Sequence, residues 1–122
     1  MGTFRLDGEI VNMKTPTRRA AVPKMVVDTG AEFTWAPERL LRTLGVAVSK
    51  KDQEFVMANG RPITRDIGYA IVRAAGFETV DEMVFGHEGD LVLIGARTLE
   101  GFGAMVDSRR KRLVAAGPHL AA

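Results

Sequence analysis

The sequence predicts a small all-β domain of short strands with one or two short helices. Three observations carry this. Glycine occurs 13 times, spread along the chain, as many tight turns require. The β-branched runs are short. Asn59-Gly60 lies between two strand-like arms, and this pair is a strong hairpin signal because a type I′ turn needs positive φ at both central residues.

The elements follow in order. Phe4 and Leu6 alternate, the pattern breaks at Asp7-Gly8 and resumes at Ile10, which predicts a hairpin or a bulged strand. Residues 15–23 are polar with two prolines and read as a loop. Residues 24–27, KMVV, have almost no polar alternation, so they predict a strand buried on both faces. In APERLLRTLG, Pro37 suits the first turn of a helix, Leu40, Leu41 and Leu44 share a face, and Gly45 suits its stop. Pro62, just after the Asn59-Gly60 turn, cannot donate to a ladder and marks an exposed edge.

Ile67, Tyr69 and Ile71 fall on one strand face, and TVDEMVFG is a further strand. DLVLIG (90–95) is a second apolar strand ending in glycine. ARTLEGFG follows as a short helix with Gly103 as its stop. AMVD and KRLVAA close the chain as strands around a basic turn. Nothing marks a linker, so residues 1–122 read as a single domain. Apolar strand, glycine, short helix occurs twice, around 24–45 and 90–103.

Composition excludes several function classes. At 46% apolar the chain has material for a real core. The formal net charge is only +2, which argues against nucleic acid as main partner. Cysteine is absent, so there is no disulfide, thiol catalysis or cysteine metal site. That absence fits a reducing compartment, and the expected location is cytoplasmic. No apolar run nears the roughly 18 residues of a membrane span, so no membrane association is expected. The MGTFRLDGEI start has no hydrophobic leader, and Leu6 breaks the myristoylation pattern.

The chemistry concentrates at Asp28-Thr29-Gly30-Ala31. A hydrophobic strand runs straight into a carboxylate, and the next residues are too small to cover it. Asp and Gly also suit an ordinary turn, so the tripeptide alone is a weak signal. Its context is more informative: a buried strand before it, a helix after it, and an answering VLIGARTLEGFG. His87 and His119 lack metal-ligand spacing. Trp35 reads as core or pocket wall, and Arg109 to Arg112 as a solvated basic turn.

Taken in order, residues 26–31, the Ala58-Asn59-Gly60 hairpin and residues 92–103 resemble a retroviral-type single-domain aspartic protease, a retropepsin. The likeness is strongest to the soluble bacterial members, and it spans about residues 4–114. It implies a closed barrel of short strands with a flap hairpin. It also implies a homodimeric aspartic endopeptidase acting on an extended peptide or protein, with no metal or organic cofactor. By the resemblance Asp28 is catalytic, Thr29 and Gly30 hold the acids in register, and Ala31, Glu32, Ala58, Asn59 and Gly60 meet the substrate. The chain departs from the viral pattern after the second glycine: Ala96 stands where Arg is usual, and Arg97 comes one residue later. A pairing of Arg97 with Glu32 is one expectation.

The chemistry agrees with the resemblance. Amide hydrolysis needs an activated water and a proton for the leaving nitrogen, and two carboxyls sharing one proton supply both. Two charges about 4 Å apart repel by about 4 kcal/mol at an effective dielectric near 20, which separates the pair's titrations by roughly three units. One Asp-Thr-Gly per chain requires the second acid to come from a twin across a two-fold axis. The rival readings are a catalytically silent dimerisation or peptide-binding module, and a domain that processes only its own precursor.

Overall fold

The computed structural model describes residues 3–121. Its elements are β1 (Phe4–Val11), β2 (Arg19–Val27), β3 (Thr34–Pro37), α1 (Glu38–Thr43), β4 (Val48–Val56), β5 (Pro62–Ala74), β6 (Phe77–Gly86), β7 (Leu93–Ile94), α2 (Ala96–Phe102), β8 (Ala104–Asp107) and β9 (Arg112–Ala115). This is a small all-β domain. The main sheet runs β1-β2-β7-β3-β6-β5-β4, and an additional β1–β5 pairing brings it back on itself as a ring with β4 outside. β8 and β9 form a separate hairpin.

The ring explains why several strands lack polar alternation. Its two faces carry two hydrophobic clusters. Met25, Val27, Ala36, Met83, Phe85 and Ile94 belong to the main core, while Val26, Trp35, Val84 and Leu93 belong to a smaller one. Neighbouring residues on one strand therefore point into different clusters, as the two-residue side-chain period demands. The expectation that residues 24–27 would be buried on both faces holds for Met25 to Val27, but Lys24 is exposed.

Several local readings are corrected. The stretch 15–23 is not all loop: β2 begins at Arg19. Pro23 is tolerated because it sits in a bulge. Register jumps from Leu6–Met25 to Gly8–Val22, Lys24 adopts φ 54°, and its N–H donates to the Asp7 carboxylate at 3.0 Å. The bulged-strand reading of residues 4–11 is therefore the correct one of the two alternatives.

Asn59-Gly60 does turn the chain, but not as a type I′ pair. Only Gly60 has positive φ, 83°. The loop is closed by Met57 N–H to Arg61 C=O at 2.9 Å and Gly60 N–H to Met57 C=O at 2.8 Å. Asn59 Oδ1 accepts from Arg61 N–H, a local bond that favours this wider turn. Pro37 lies just before helix α1 as its N-cap. The arm from Pro62 pairs with β4 only until β6 joins at Ile67, so its other edge is free as expected.

On the face shared by Ile67, Tyr69 and Ile71, Ile67 is buried in the smaller cluster and Ile71 is half-buried. Ala70, Val72 and Ala74 fill the main core, while Tyr69 is exposed. Gly68 shares the inward face, and a β-carbon there would collide with the Ala47 carbonyl oxygen and press on the Phe85 ring. Gly68→Ala is expected to destabilise by about 2 kcal/mol through forced backbone displacement. Urea denaturation checks this, with Gly60→Ala at the open loop position testing φ strain without a clash.

Candidate active site

Asp28 stands at the end of β2, where the chain leaves the sheet. Its N–H donates to Ile94 C=O at 3.0 Å, and its C=O accepts from Ala31 N–H at 3.2 Å. The carboxylate Oδ1 accepts from Gly30 N–H at 2.9 Å. The acid is thus fixed by backbone on both sides and half-buried. A β-carbon on Gly30 would lie 3.2 Å from that same oxygen, so glycine keeps the carboxylate approachable. Thr29 and Gly30 are exposed.

The chain returns as β3, and the two-residue β7 lies between its two arms. β7 pairs in parallel with β2 at Val26–Leu93 and Val27–Ile94, and antiparallel with β3 at Trp35–Leu93. Beyond β7 the backbone runs so close that a β-carbon on Gly95 would strike the Phe33 carbonyl. Ala96 N–H donates to Ala31 C=O at 2.7 Å, and Arg97 N–H to Glu32 C=O at 3.1 Å. The segment after Asp28 is therefore pinned to the start of α2.

A buried polar chain locks this crossing. Gly95 N–H donates to Thr34 Oγ1 at 3.0 Å, and Thr34 and Thr98 hydroxyls meet at 2.5 Å. Thr98 donates to Asp81 Oδ2 at 2.9 Å, so its oxygen accepts from Thr34. Each hydroxyl both gives and receives. The threonines are fully buried, where an unpaired hydroxyl would be costly.

Around Asp28 opens a cleft of about 560 Å³. Of the residues expected at the site, Asp28, Gly30, Ala31, Glu32 and Ala58 line it; Thr29, Asn59 and Gly60 do not. The hairpin β4–β5 reaches it through Phe55, Val56 and Met57. Phe55 packs edge-on against Phe33 (centroids 5.6 Å) and Trp35 (5.2 Å). Trp35 is both core and pocket wall: 9% exposed, it belongs to the smaller cluster and still lines the cleft.

Arg97 does not use its side chain on Glu32. Its guanidinium lies 3.0 Å from the buried Glu82 and 4.8 Å over the Phe33 ring. Lys50 meets the other Glu82 oxygen at 2.7 Å. The Lys50 hydrogen bond, helped by Arg97, holds the Glu82 carboxyl below the usual range. The arginine thereby braces the wall of the cleft. Sequence reasoning gave no role to Glu82, Thr34, Thr98 or Asp81; Thr98 stands inside the 92–103 segment but drew no reading of its own.

Asp90 also lines the cleft, but Arg65 holds it by two bonds, 2.7 and 3.0 Å, and His87 N–H adds a third at 2.7 Å. Among the described residues no group of His, Cys, Asp and Glu has metal-binding arrangement, and no helix is long and apolar enough to cross a membrane. No protein-family model matches the chain, and no curated protein matches it.

Two outcomes follow. Thr98→Val leaves the Thr34 hydroxyl without its acceptor and Asp81 Oδ2 without its donor, the Glu82 amide still serving Oδ1, so it is expected to cost about 2 kcal/mol in urea denaturation. The Arg65 bond depresses the Asp90 pKa. Its stabilisation is present above the unfolded value of about 3.9 and is lost as pH falls through the lower folded value. Asp90→Asn is expected to reduce stability at neutral pH and to flatten the decline below about pH 4, measured as denaturation midpoint against pH.

Proposed function

We propose that this chain is one half of a retropepsin-like aspartic endopeptidase, completed by a second copy of itself. The observation that carries the reading is Asp28, fixed at a strand end by backbone bonds yet open to a cleft large enough for an extended peptide. An acid held this rigidly beside exposed Thr29 and Gly30 suits close approach of an identical turn across a two-fold axis. The cleft's other aspartate, Asp90, is already neutralised by Arg65 and serves the fold.

In this mechanism the two Asp28 carboxyls share one proton. The ionised one takes a proton from a water held between them, and that water attacks the peptide carbonyl. The protonated one polarises the carbonyl oxygen, and a proton then passes to the leaving nitrogen. The hairpin tip, at Met57 and Ala58, covers the bound strand and excludes solvent. Main-chain hydrogen bonds hold the peptide extended, and the aromatic wall receives its side chains.

The test is cleavage of a denatured protein from acidic to neutral pH, with sedimentation equilibrium at several concentrations. Asp28→Asn is expected to lower the rate by about 10²- to 10⁴-fold while leaving the dimer folded. Cleavage that survives Asp28→Asn, or that persists in a strictly monomeric protein, overturns the proposal. A dimer that cleaves nothing identifies a peptide-binding module instead.

A further inference from the structure

We propose that the cleft selects peptides in which a bulky apolar residue is flanked by lysine or arginine, with Glu32 and Glu54 as the selecting groups. The inference rests on the reading of this cleft as a peptide site and names the substrate class it takes.

Two features of the cleft lead there. One is the apolar floor, where half-buried Phe33 and Phe55 lie against buried Trp35 and Leu93. Val56 and Leu91 at its rim are 75% and 63% exposed. That surface is relieved by an apolar side chain, worth about 25 cal/mol per Å² removed from water.

The other feature is the sign of the charge. The cleft is lined by Asp28, Glu32, Glu54 and Asp90, and by no lysine or arginine. The whole chain nevertheless carries a net +2, so its excess of positive charge lies entirely outside the cleft. Asp90 is cancelled by Arg65. Glu32 and Glu54 are exposed, and neither carboxylate is paired among the described residues. Arg97, whose backbone N–H meets the Glu32 carbonyl, commits its guanidinium to Glu82 and to the Phe33 ring. Lys50, on the strand that carries Glu54, is committed to Glu82 as well. Both local cations are thus drawn away from the cleft by one buried acid.

Glu32 follows the catalytic turn and Glu54 lies on the hairpin strand, opposite Thr64. The two acids therefore reach the cleft from different elements. A cationic side chain on either flank of the apolar anchor meets an uncompensated negative charge. An anionic one meets repulsion, which supplies discrimination as effectively as attraction does. Both acids are solvated, so each contributes modestly, and salt weakens the effect.

The experiment uses three peptides of one apolar core, flanked by Lys, Gln or Glu. Binding is measured by fluorescence anisotropy to the full chain and to Asp28→Asn, and cleavage by the full chain is followed in parallel. The Lys peptide is expected to bind about tenfold tighter than the Glu peptide at low salt. That ratio is expected to fall towards one in the Glu32→Gln/Glu54→Gln double variant and at 1 M salt. Equal binding of all three peptides, no binding of any, or a preference untouched by the double variant overturns the inference. Cleavage of all three at equal rates overturns it while leaving the endopeptidase standing. Selective binding of the Lys peptide without cleavage sustains the charge selection and removes the endopeptidase.

Discussion

Everything at the cleft depends on one crossing: the two residues of β7 threaded between the end of β2 and the start of β3. Without it Asp28 would end a frayed strand. With it, the aspartate's N–H is tied to Ile94, and the small turn beyond it has fixed neighbours on each side. The crossing is sealed by contacts that tolerate little change. Gly95 passes against the Phe33 carbonyl with no room for a side chain, and the Thr34–Thr98–Asp81 relay leaves none of its hydroxyls idle. A two-residue strand contributes little pairing of its own. Its permanence comes from burial, since Leu93 and Ile94 enter opposite hydrophobic clusters.

The same crossing divides labour among the acids. Asp81 and Glu82 are adjacent on β6, yet they serve different ends. Asp81 terminates the threonine relay, while Glu82 gathers Lys50 and Arg97. Asp90 ties down the turn after β6 through Arg65 and the His87 amide. These three carboxylates hold the scaffold in place. Asp28 is held by amides instead, and no cation engages it among the described residues. Among the described residues the Asp28 carboxylate takes its one hydrogen bond from the Gly30 amide, whereas Asp90 in the same cleft is braced by Arg65.

Much of this was legible in the sequence, for identifiable reasons. Helix α2 and its stop at Gly103 were readable because a left-handed C-terminal residue (φ 67°) demands glycine. The strand into Asp28 was readable because a run without polar alternation can only be buried twice. Other features resisted. The face of β5 that fills the main core was not readable because one of its inward positions is Gly68, which a hydrophobicity pattern registers as blank although the Ala47 carbonyl fills the space. The turn at Asn59-Gly60 was located but mistyped, since the Asn59 side chain found a local backbone partner. β7 was overextended because Leu91 to Ile94 is uniformly apolar, whereas only the residues between two partners form ladder. The threonine relay gave no signal at all. Thr34 and Thr98 are 64 residues apart, one at the start of β3 and the other within α2, and a lone buried threonine in either looks like ordinary filling. At the cleft, the acid and its small neighbours were legible, but the partnership of Arg97 with Glu82 was not, because only the fold brings α2 against β6.

The aromatic cluster has one more consequence. The chain contains a single tryptophan, and it stands where the hairpin meets the wall of the cleft, edge-on to Phe55. Any opening of the hairpin must withdraw Phe55 from the indole and admit water to it. The protein therefore carries a built-in optical gauge: the emission colour of this one indole, excited apart from the single tyrosine, would report any such lifting of the arm without a label.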